Sequence, residues 1–198
     1  MIARQIVVVD IETNGLNFER HRAVEVAWWN LTTDARGRFI PPHSVSDVLA
    51  AAELQALRIN RYIDRIAGHG QDVNGHELGR LHGQFLGYDQ DDIDEGGFPA
   101  EIAHTLAGSN PAFDAQFLAK LFAAADGPDT DPEPWHHRLW DLSAYAAGVL
   151  GLDELPGLAR VCELLDVEGP DHTAEGDVTA TGRCFLQLQQ IVAKRAES

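Results

Sequence analysis

A β-branched segment that ends in an acid is the strongest constraint on how this chain folds. Residues 5 to 10 read Gln-Ile-Val-Val-Val-Asp, which predicts a buried strand, and Thr13-Asn14-Gly15 then turns the chain. Side chains two residues apart in a strand project to the same face, so Asp10 and Glu12 converge. The sequence therefore predicts a core strand that brings two carboxylates to the end of a sheet.

Two further strands are expected to join the first in an antiparallel meander. Residues 23–31 are rich in valine and tryptophan, and residues 38–40 begin a strand that stops before two prolines. The adjacent residues Trp28 and Trp29 would point to opposite faces of their strand. At most one of the two is therefore expected in the core.

The next part of the chain is predicted to be a helix followed by an irregular insert. Apolar spacing indicates a helix over residues 46–66, with Ser46 as its cap. Residues 68–98 are rich in glycine and include an acidic run, a composition that favours a loop with at most short helices. The acidic run lacks the ligand spacing of a calcium loop, so a solvated surface segment is the preferred interpretation.

A second acid is placed by a clearly marked helix. Residues 102–108 predict a central strand, after which Asn110 can cap a helix that has Pro111 at its first position. Asp114 then falls in the first turns of that helix. Its position at the margin between core and solvent would let it reach a metal at the end of the sheet.

The last part of the chain alternates strand and helix, which is typical of an α/β fold. A short strand is expected at 137–140, with helices at 142–149 and 158–165. From Thr173 onward, apolar residues recur at steps of three and four and predict an amphipathic C-terminal helix. Asp177 lies beside its apolar stripe.

The length of the chain favours a single domain over residues 1–198. The formal net charge is −16, which argues against binding nucleic acid by long-range attraction alone. Cys162 and Cys184 lie among apolar residues, so we expect reduced core thiols. The apolar run at residues 6–9 is too short for a signal peptide and no stretch is long enough for a membrane span, so a soluble cytoplasmic protein is expected.

The order Asp10, Glu12, Asp114, His172, Asp177 points to metal-dependent phosphodiester cleavage. Acids gathered at a sheet edge repel one another unless cations sit between them, and hard divalent cations prefer oxygen ligands. An isolated Asp-x-Glu pair would be weak evidence, because surface acids at that spacing are common. Its place after a buried strand and before a glycine turn is what makes the pair informative. Glu25, within the second strand, is interpreted as structural.

Three segments resemble the exonuclease motifs of the DEDDh (DnaQ-like) family. They are the run from Asp10 to Leu16, the run from Asn110 to Asp114, and His172 with Asp177 five residues later. The resemblance covers about residues 5 to 190. The family includes the proofreading exonuclease subunit of bacterial DNA polymerase III, oligoribonuclease and ribonuclease T. It implies a ribonuclease H-like α/β fold, with a mixed five-stranded sheet flanked by helices. Residues 68–98 align to nothing in it.

The resemblance also implies a mechanism. Asp10, Glu12, Asp114 and Asp177 would bind two Mg²⁺ or Mn²⁺ ions, and His172 would be the general base. Two such cations about 3.5–4 Å apart can align the attacking water with the phosphate and the leaving oxygen. A neutral histidine can accept a proton near neutral pH, since the reference pKa of histidine is about 6.5.

The implied activity is a 3′→5′ exonuclease that acts on single-stranded DNA and releases nucleoside 5′-monophosphates. Contacts to the terminal nucleotide are expected from the following residues of the first two motifs: Thr13, Asn14, Gly15, Leu16 and Asn110. A DNA polymerase is a further partner that the resemblance suggests. An exoribonuclease of the oligoribonuclease or ribonuclease T type and a non-catalytic polymerase-associated binding module remain as alternatives.

Overall fold

A twisted five-stranded sheet forms the centre of the computed structural model, which describes residues 4–87, 104–126 and 132–197. The strands are β1 (Ile6–Thr13), β2 (Ala23–Asn30), β3 (Arg36–Phe39), β4 (Thr105–Gly108) and β5 (Trp140–Asp141). Their order across the sheet is β3-β2-β1-β4-β5. The strands β1, β2 and β3 pair antiparallel, whereas β4 and β5 run parallel to β1. The predicted mixed sheet is confirmed, including its N-terminal meander.

Helices cover both faces of this sheet. They are α1 (Val45–Ala50), α2 (Leu54–Ile59), α3 (Tyr62–Arg65), α4 (His76–Leu86), α5 (Pro111–Asp126), α6 (Leu142–Leu150), α7 (Leu158–Leu165) and α8 (Ala174–Ala196). The helices α4 and α5 pack on one face, and α6, α7 and α8 pack on the other. Within the described ranges, no helix combines the length and the hydropathy needed to cross a membrane.

The two-sided cover explains why the expectation for the tryptophans was wrong. Trp28 packs with Val7 and Val9 on the α5 side, and Trp29 packs with Val8 on the α8 side. Both rings are buried, because a sheet covered on both faces has no solvent side. The two side chains point to opposite faces of the strand, as predicted, but helices cover both faces rather than one.

The predicted helix over residues 46–66 is also wrong as a single element. The chain instead forms α1, α2 and α3, and Ser44 rather than Ser46 caps α1, accepting the N–H of Asp47 at 3.1 Å. Arg61 has a left-handed backbone with φ of 52°, which breaks the helical path before α3. The three short helices surround one small cluster, to which they contribute Val48, Leu57 and Tyr62.

Part of the glycine-rich insert forms a longer helix than expected, since the composition predicted a loop with at most short helices. The helix α4 has 11 residues and buries Leu78, Leu81 and Phe85 against the sheet. Residues 88–98 of the predicted insert, and 102–103 of the predicted central strand, lie outside the described residues. The last strand lies at 140–141 rather than at 137–140.

The cysteines lie in the core, as expected. Cys162 and Cys184 are buried with their Sγ atoms 3.7 Å apart, and burial raises the pKa of both thiols. Neither thiol is poised for ionisation, which fits a packing role.

Gly182 lets α8 approach the sheet, because a Cβ at this position would collide with the indole ring of Trp29. We expect Gly182→Ala to lower the free energy of unfolding by about 1–3 kcal/mol through overpacking. Gly148, in α6, is the matched control because a Cβ there would meet open space. Gly148→Ala should stabilise the protein by about 0.5–1 kcal/mol. Urea unfolding of both variants checks this, and equal effects at the two positions would contradict the packing assignment.

Candidate active site

The strand β1 carries the first two acids past the end of its neighbour. The pairing of β1 with β4 covers only Ile6 to Val8, so Asp10 and Glu12 lie where the parallel part of the sheet has ended. Both follow Val8 on the face that α8 covers. The apolar residues of β1 therefore anchor the strand, and its acids project from the sheet's edge.

The helix α8 supplies the third acid to the same position. Thr173 caps this helix by accepting the N–H of Gly176 at 2.9 Å, which places Asp177 in the first turn. One carboxylate oxygen from each of Asp10, Glu12 and Asp177 lies within 4.8 Å of the others. Three oxygen ligands at this spacing can hold one divalent cation.

Asp114 lies next to this three-acid group rather than inside it. It belongs to the first turn of α5, and its Oδ1 accepts the backbone N–H of Ile11 at 3.1 Å. Its charge is one of the causes that raise the pKa of Asp10, so the two carboxylates are neighbours. The four acids that the sequence singled out are thus brought together at one end of the sheet.

The electrostatics of the acids show that the group is incomplete without cations or protons. Burial, then the nearby acids, raises the pKa of Asp10 well above its usual value. Burial and the charge of Asp177 raise the pKa of Glu12 to about 7, and burial raises that of Asp114 to about 8 despite the Ile11 N–H. Burial also raises the pKa of Asp177. Hard divalent cations fit this donor set, because they replace the missing positive charge.

His172 lies at the entrance of α8, beside Asp177. Its N–H donates to Asp177 Oδ1 at 3.1 Å, while its side chain is exposed. A positive charge on the His172 ring would lower the pKa of Asp177. Its backbone is left-handed, with φ of 60°, a conformation uncommon for a residue other than glycine.

A pocket of about 290 Å³ opens beside Glu12. Leu16 and Ile59 at this pocket are 73% and 47% exposed, which is unusual for large apolar side chains, and Phe113 adds an aromatic wall. Such a surface can stack a nucleobase. Ile59 and Phe113 had not been predicted as site residues.

The other predicted substrate contacts differ in their burial and in their hydrogen bonds within the protein. Asn14 is buried, and its N–H and side chain are hydrogen-bonded to Arg22 and Val48. These groups already have partners within the protein. Thr13 donates its hydroxyl to the carbonyl of Gly15, and Gly15 leaves room for the His21 ring. Asn110 is exposed just before α5, and its carbonyl accepts the N–H of Phe113.

Two charged residues beside the acids were not predicted as site residues. Glu25 is buried opposite Glu12 in the β1–β2 ladder, and Arg65 contacts it from α3. Burial acts to raise the pKa of Glu25, but hydrogen bonds from Arg65, the Ala174 N–H and Arg38 outweigh it and lower that pKa. The sequence did contain a signal for this pair, because an acid stands within the apolar run from residues 23 to 27. A buried charge needs partners, so a nearby cation could have been expected.

Comparison with known proteins identifies the fold. No protein-family model matches the chain. The structure is similar to E. coli exonuclease I in complex with a dA16 oligonucleotide, with a TM-score of 0.68 at 18% identity, covering 94% of this chain and 40% of that one. The product-bound exonuclease I (TM-score 0.66, 16% identity, 94% and 43% covered) and the zinc-bound complex of E. coli exonuclease I with single-stranded DNA (0.65, 17%, 93% and 40%) are similar too.

These values establish a shared ribonuclease H-like fold. The chain spans less than half the length of the exonuclease I chains that it matches.

The raised pKa values make the stability of the metal-free protein depend on pH. The folded protein retains protons that the unfolded chain releases above about pH 4, so stability should rise as pH falls from about 8 toward 5. Asp114→Asn removes one repelling charge and retains an acceptor for Ile11. We expect it to raise the free energy of unfolding at pH 8 by about 1–3 kcal/mol and to flatten the pH dependence.

Chemical unfolding in EDTA at pH 6 and pH 8 measures both effects. Glu163→Gln is the control, because Glu163 is an exposed acid on α7 away from the acid group. A loss of stability at pH 8 in Asp114→Asn, with the wild-type pH dependence retained, would show that the acids do not repel as described.

Proposed function

We propose that this chain is a metal-dependent 3′→5′ exonuclease that hydrolyses the terminal phosphodiester bond of single-stranded DNA. The observation that carries the proposal is the convergence of Asp10, Glu12 and Asp177 on one position, with Asp114 and His172 beside it. The direction of cleavage rests on the resemblance of these residues to the DEDDh motifs. The DNA substrate is supported by the oligonucleotide complexes of the similar exonuclease I structures.

The acids divide into two metal-binding positions in this proposal. Asp10, Glu12 and Asp177 would hold one Mg²⁺ or Mn²⁺ ion, and Asp114 would complete a second position beside Asp10. When bound, the cations would orient a water and the phosphate and offset the charge on the leaving 3′ oxygen. Without cations, the same acids would repel the phosphate.

His172 would accept the proton of the attacking water. The water oxygen would form a bond to phosphorus while the bond from phosphorus to the 3′ oxygen of the penultimate nucleotide breaks. That oxygen would take a proton from solvent, and the terminal nucleoside 5′-monophosphate would leave. An exposed imidazole on a fixed backbone suits this task, since it can approach a water above the acids. Removing such a base typically lowers the rate by about 10²–10⁴-fold.

The pocket beside Glu12 would hold the terminal nucleotide. Leu16 and Ile59 present apolar surface to its base, while the scissile phosphate lies at the acids. Stacking of this kind tolerates any base, as a sequence-independent exonuclease requires. Short-range contacts are needed because the formal net charge of −16 opposes long-range attraction of a polyanion.

An exoribonuclease is the second candidate activity, because the acids and His172 serve ribose and deoxyribose equally. Selection of the sugar depends on contacts to the 2′ position. A non-catalytic binding module is a weaker candidate, since all five reactive side chains are present. A polymerase partner rests on the resemblance alone, and no contact among the described residues supports it.

The first experiment compares a 5′-labelled single-stranded DNA oligonucleotide with its RNA counterpart, each with Mg²⁺, with Mn²⁺ and with EDTA. We expect a metal-dependent ladder that shortens from the 3′ end, with DNA degraded faster. Asp177→Ala should abolish cleavage, and His172→Ala should slow it by about 10²–10⁴-fold. Glu163→Gln serves as the acidic control that retains activity.

The outcomes separate the candidates. Faster loss of RNA would favour the exoribonuclease. Absence of cleavage while Mn²⁺ raises the melting temperature would favour the binding module. An unchanged rate in Asp177→Ala would refute the assignment of the catalytic acids.

The pocket assignment predicts a change in substrate binding. Leu16→Ala should raise the KM for a single-stranded oligonucleotide by about 5–50-fold, because burying a leucine side chain against an apolar surface contributes about 1.5–3 kcal/mol. The kcat should change less, since Leu16 does not touch the reacting atoms. Leu155→Ala removes an equally exposed leucine away from the pocket and is the matched control. Equal KM values for the two variants would exclude Leu16 from the nucleotide site.

A further inference from the structure

Glu25 is a buried carboxylate that the proposed chemistry does not use. It lies directly opposite Glu12 in the β1–β2 ladder, so both side chains project to the α8 face. Its side chain is fully buried, which is costly for a charge unless partners surround it. Those partners include Arg38 from β3, whose Nε lies 2.6 Å from Glu25 Oε1.

The remaining partners of Glu25 connect it to the candidate active site. Arg65 Nη2 donates to Glu25 Oε2 at 3.0 Å, and the backbone N–H of Ala174 donates to the same oxygen at 3.2 Å. Ala174 is the first residue of α8, the helix that carries Asp177. Glu25 therefore joins the start of that helix to the sheet.

Arg65 makes a second connection from the same guanidinium. Its Nη2 also donates to the carbonyl of His172 at 3.4 Å, and its Nε donates to the carbonyl of Asn60 at 3.1 Å. On the other side, Asp177 Oδ1 accepts the N–H groups of Asp171 and His172. The backbone of His172 is thus held at its N–H by Asp177 and at its carbonyl by Arg65.

These contacts bracket the cap of α8. Arg65 holds residue 172 and Glu25 holds residue 174, one on each side of Thr173. The left-handed conformation of His172 needs such support, because L-residues disfavour it. These contacts are made by the backbone of His172, and its side chain is exposed.

We propose that Glu25 and Arg65 form a positioning pair that fixes the backbone of His172 and the start of α8, so that the imidazole and Asp177 share one geometry. This inference rests on the proposed exonuclease function, in which His172 is the base. The pair adds no net charge beside the acids, because its two members carry opposite signs. The opposite charges of Glu25 and Arg65 act on Glu12 in opposite directions and partly cancel, and the Arg65→Lys control separates any remaining effect of charge from geometry.

A double-mutant cycle of Arg65→Gln with His172→Ala tests the pair. Arg65→Gln alone should lower kcat by about 10–100-fold with KM within about threefold, because small displacements of a reactive group are costly. In the His172→Ala background, the same change should lower kcat by less than about threefold. Equal losses in both backgrounds would show that Arg65 supports the fold without positioning His172.

Two controls separate geometry from charge and from stability. Arg65→Lys retains the charge but cannot replace the planar set of donors, so its kcat should stay closer to that of Arg65→Gln than to wild type. Arg38→Gln removes another partner of Glu25 that does not contact His172, and its effect should be additive with His172→Ala. Recovery of wild-type kcat in Arg65→Lys would assign the effect to charge and overturn the proposal.

Amide hydrogen exchange tests the same pair without substrate. The N–H groups of His172 and Ala174 should exchange at least about tenfold faster in Arg65→Gln than in wild type, while those of β1 stay protected. Unchanged exchange at both amides would overturn the proposal. If the wild-type chain degrades neither DNA nor RNA, the proposed function fails, and hydrogen exchange still decides whether the pair holds this backbone.

Discussion

Repulsion among four buried or half-buried acids is the interaction on which the rest of the structure depends. Asp10, Glu12, Asp114 and Asp177 would separate if the chain allowed it, since burial and mutual charge disfavour their ionised forms. Each acid is therefore attached to an element that apolar packing holds in place. The fold opposes the repulsion with its core, and the charge itself can be balanced by protons or by cations.

The packing that resists this repulsion lies on both faces of the sheet. On one face Val8 and Trp29 hold α8, and on the other Val9 and Trp28 hold α5. The acids of α8 and α5 reach β1 from these two faces, and β1 extends past β4 to meet them. A sheet with one exposed face could position one of these helices, but not both. The same two-sided cover that brings both helices to the acids also buries both tryptophans.

Local signals in the sequence predicted the parts of the site that lie within single elements. The period of two in β1 placed Asp10 with Glu12, and Pro111 marked the helix of Asp114. Contacts between elements were beyond such signals. The path after Ser44 depends on a left-handed Arg61, and the role of Glu25 depends on its register opposite Glu12 and on an arginine 40 residues later. Neither a pairing register nor a distant partner has a local pattern in one sequence.

The backbone and the side chain of His172 have different surroundings. Its N–H and carbonyl are held by Asp177 and Arg65, whereas its imidazole is exposed. In the proposed reaction, His172 would receive a proton and release it to solvent, and an exposed ring suits both steps. The hydrogen bond from the His172 N–H to Asp177 also fixes the backbone that carries the ring relative to the acids. In this proposal, placement would depend on the backbone atoms of His172 and proton exchange on its ring.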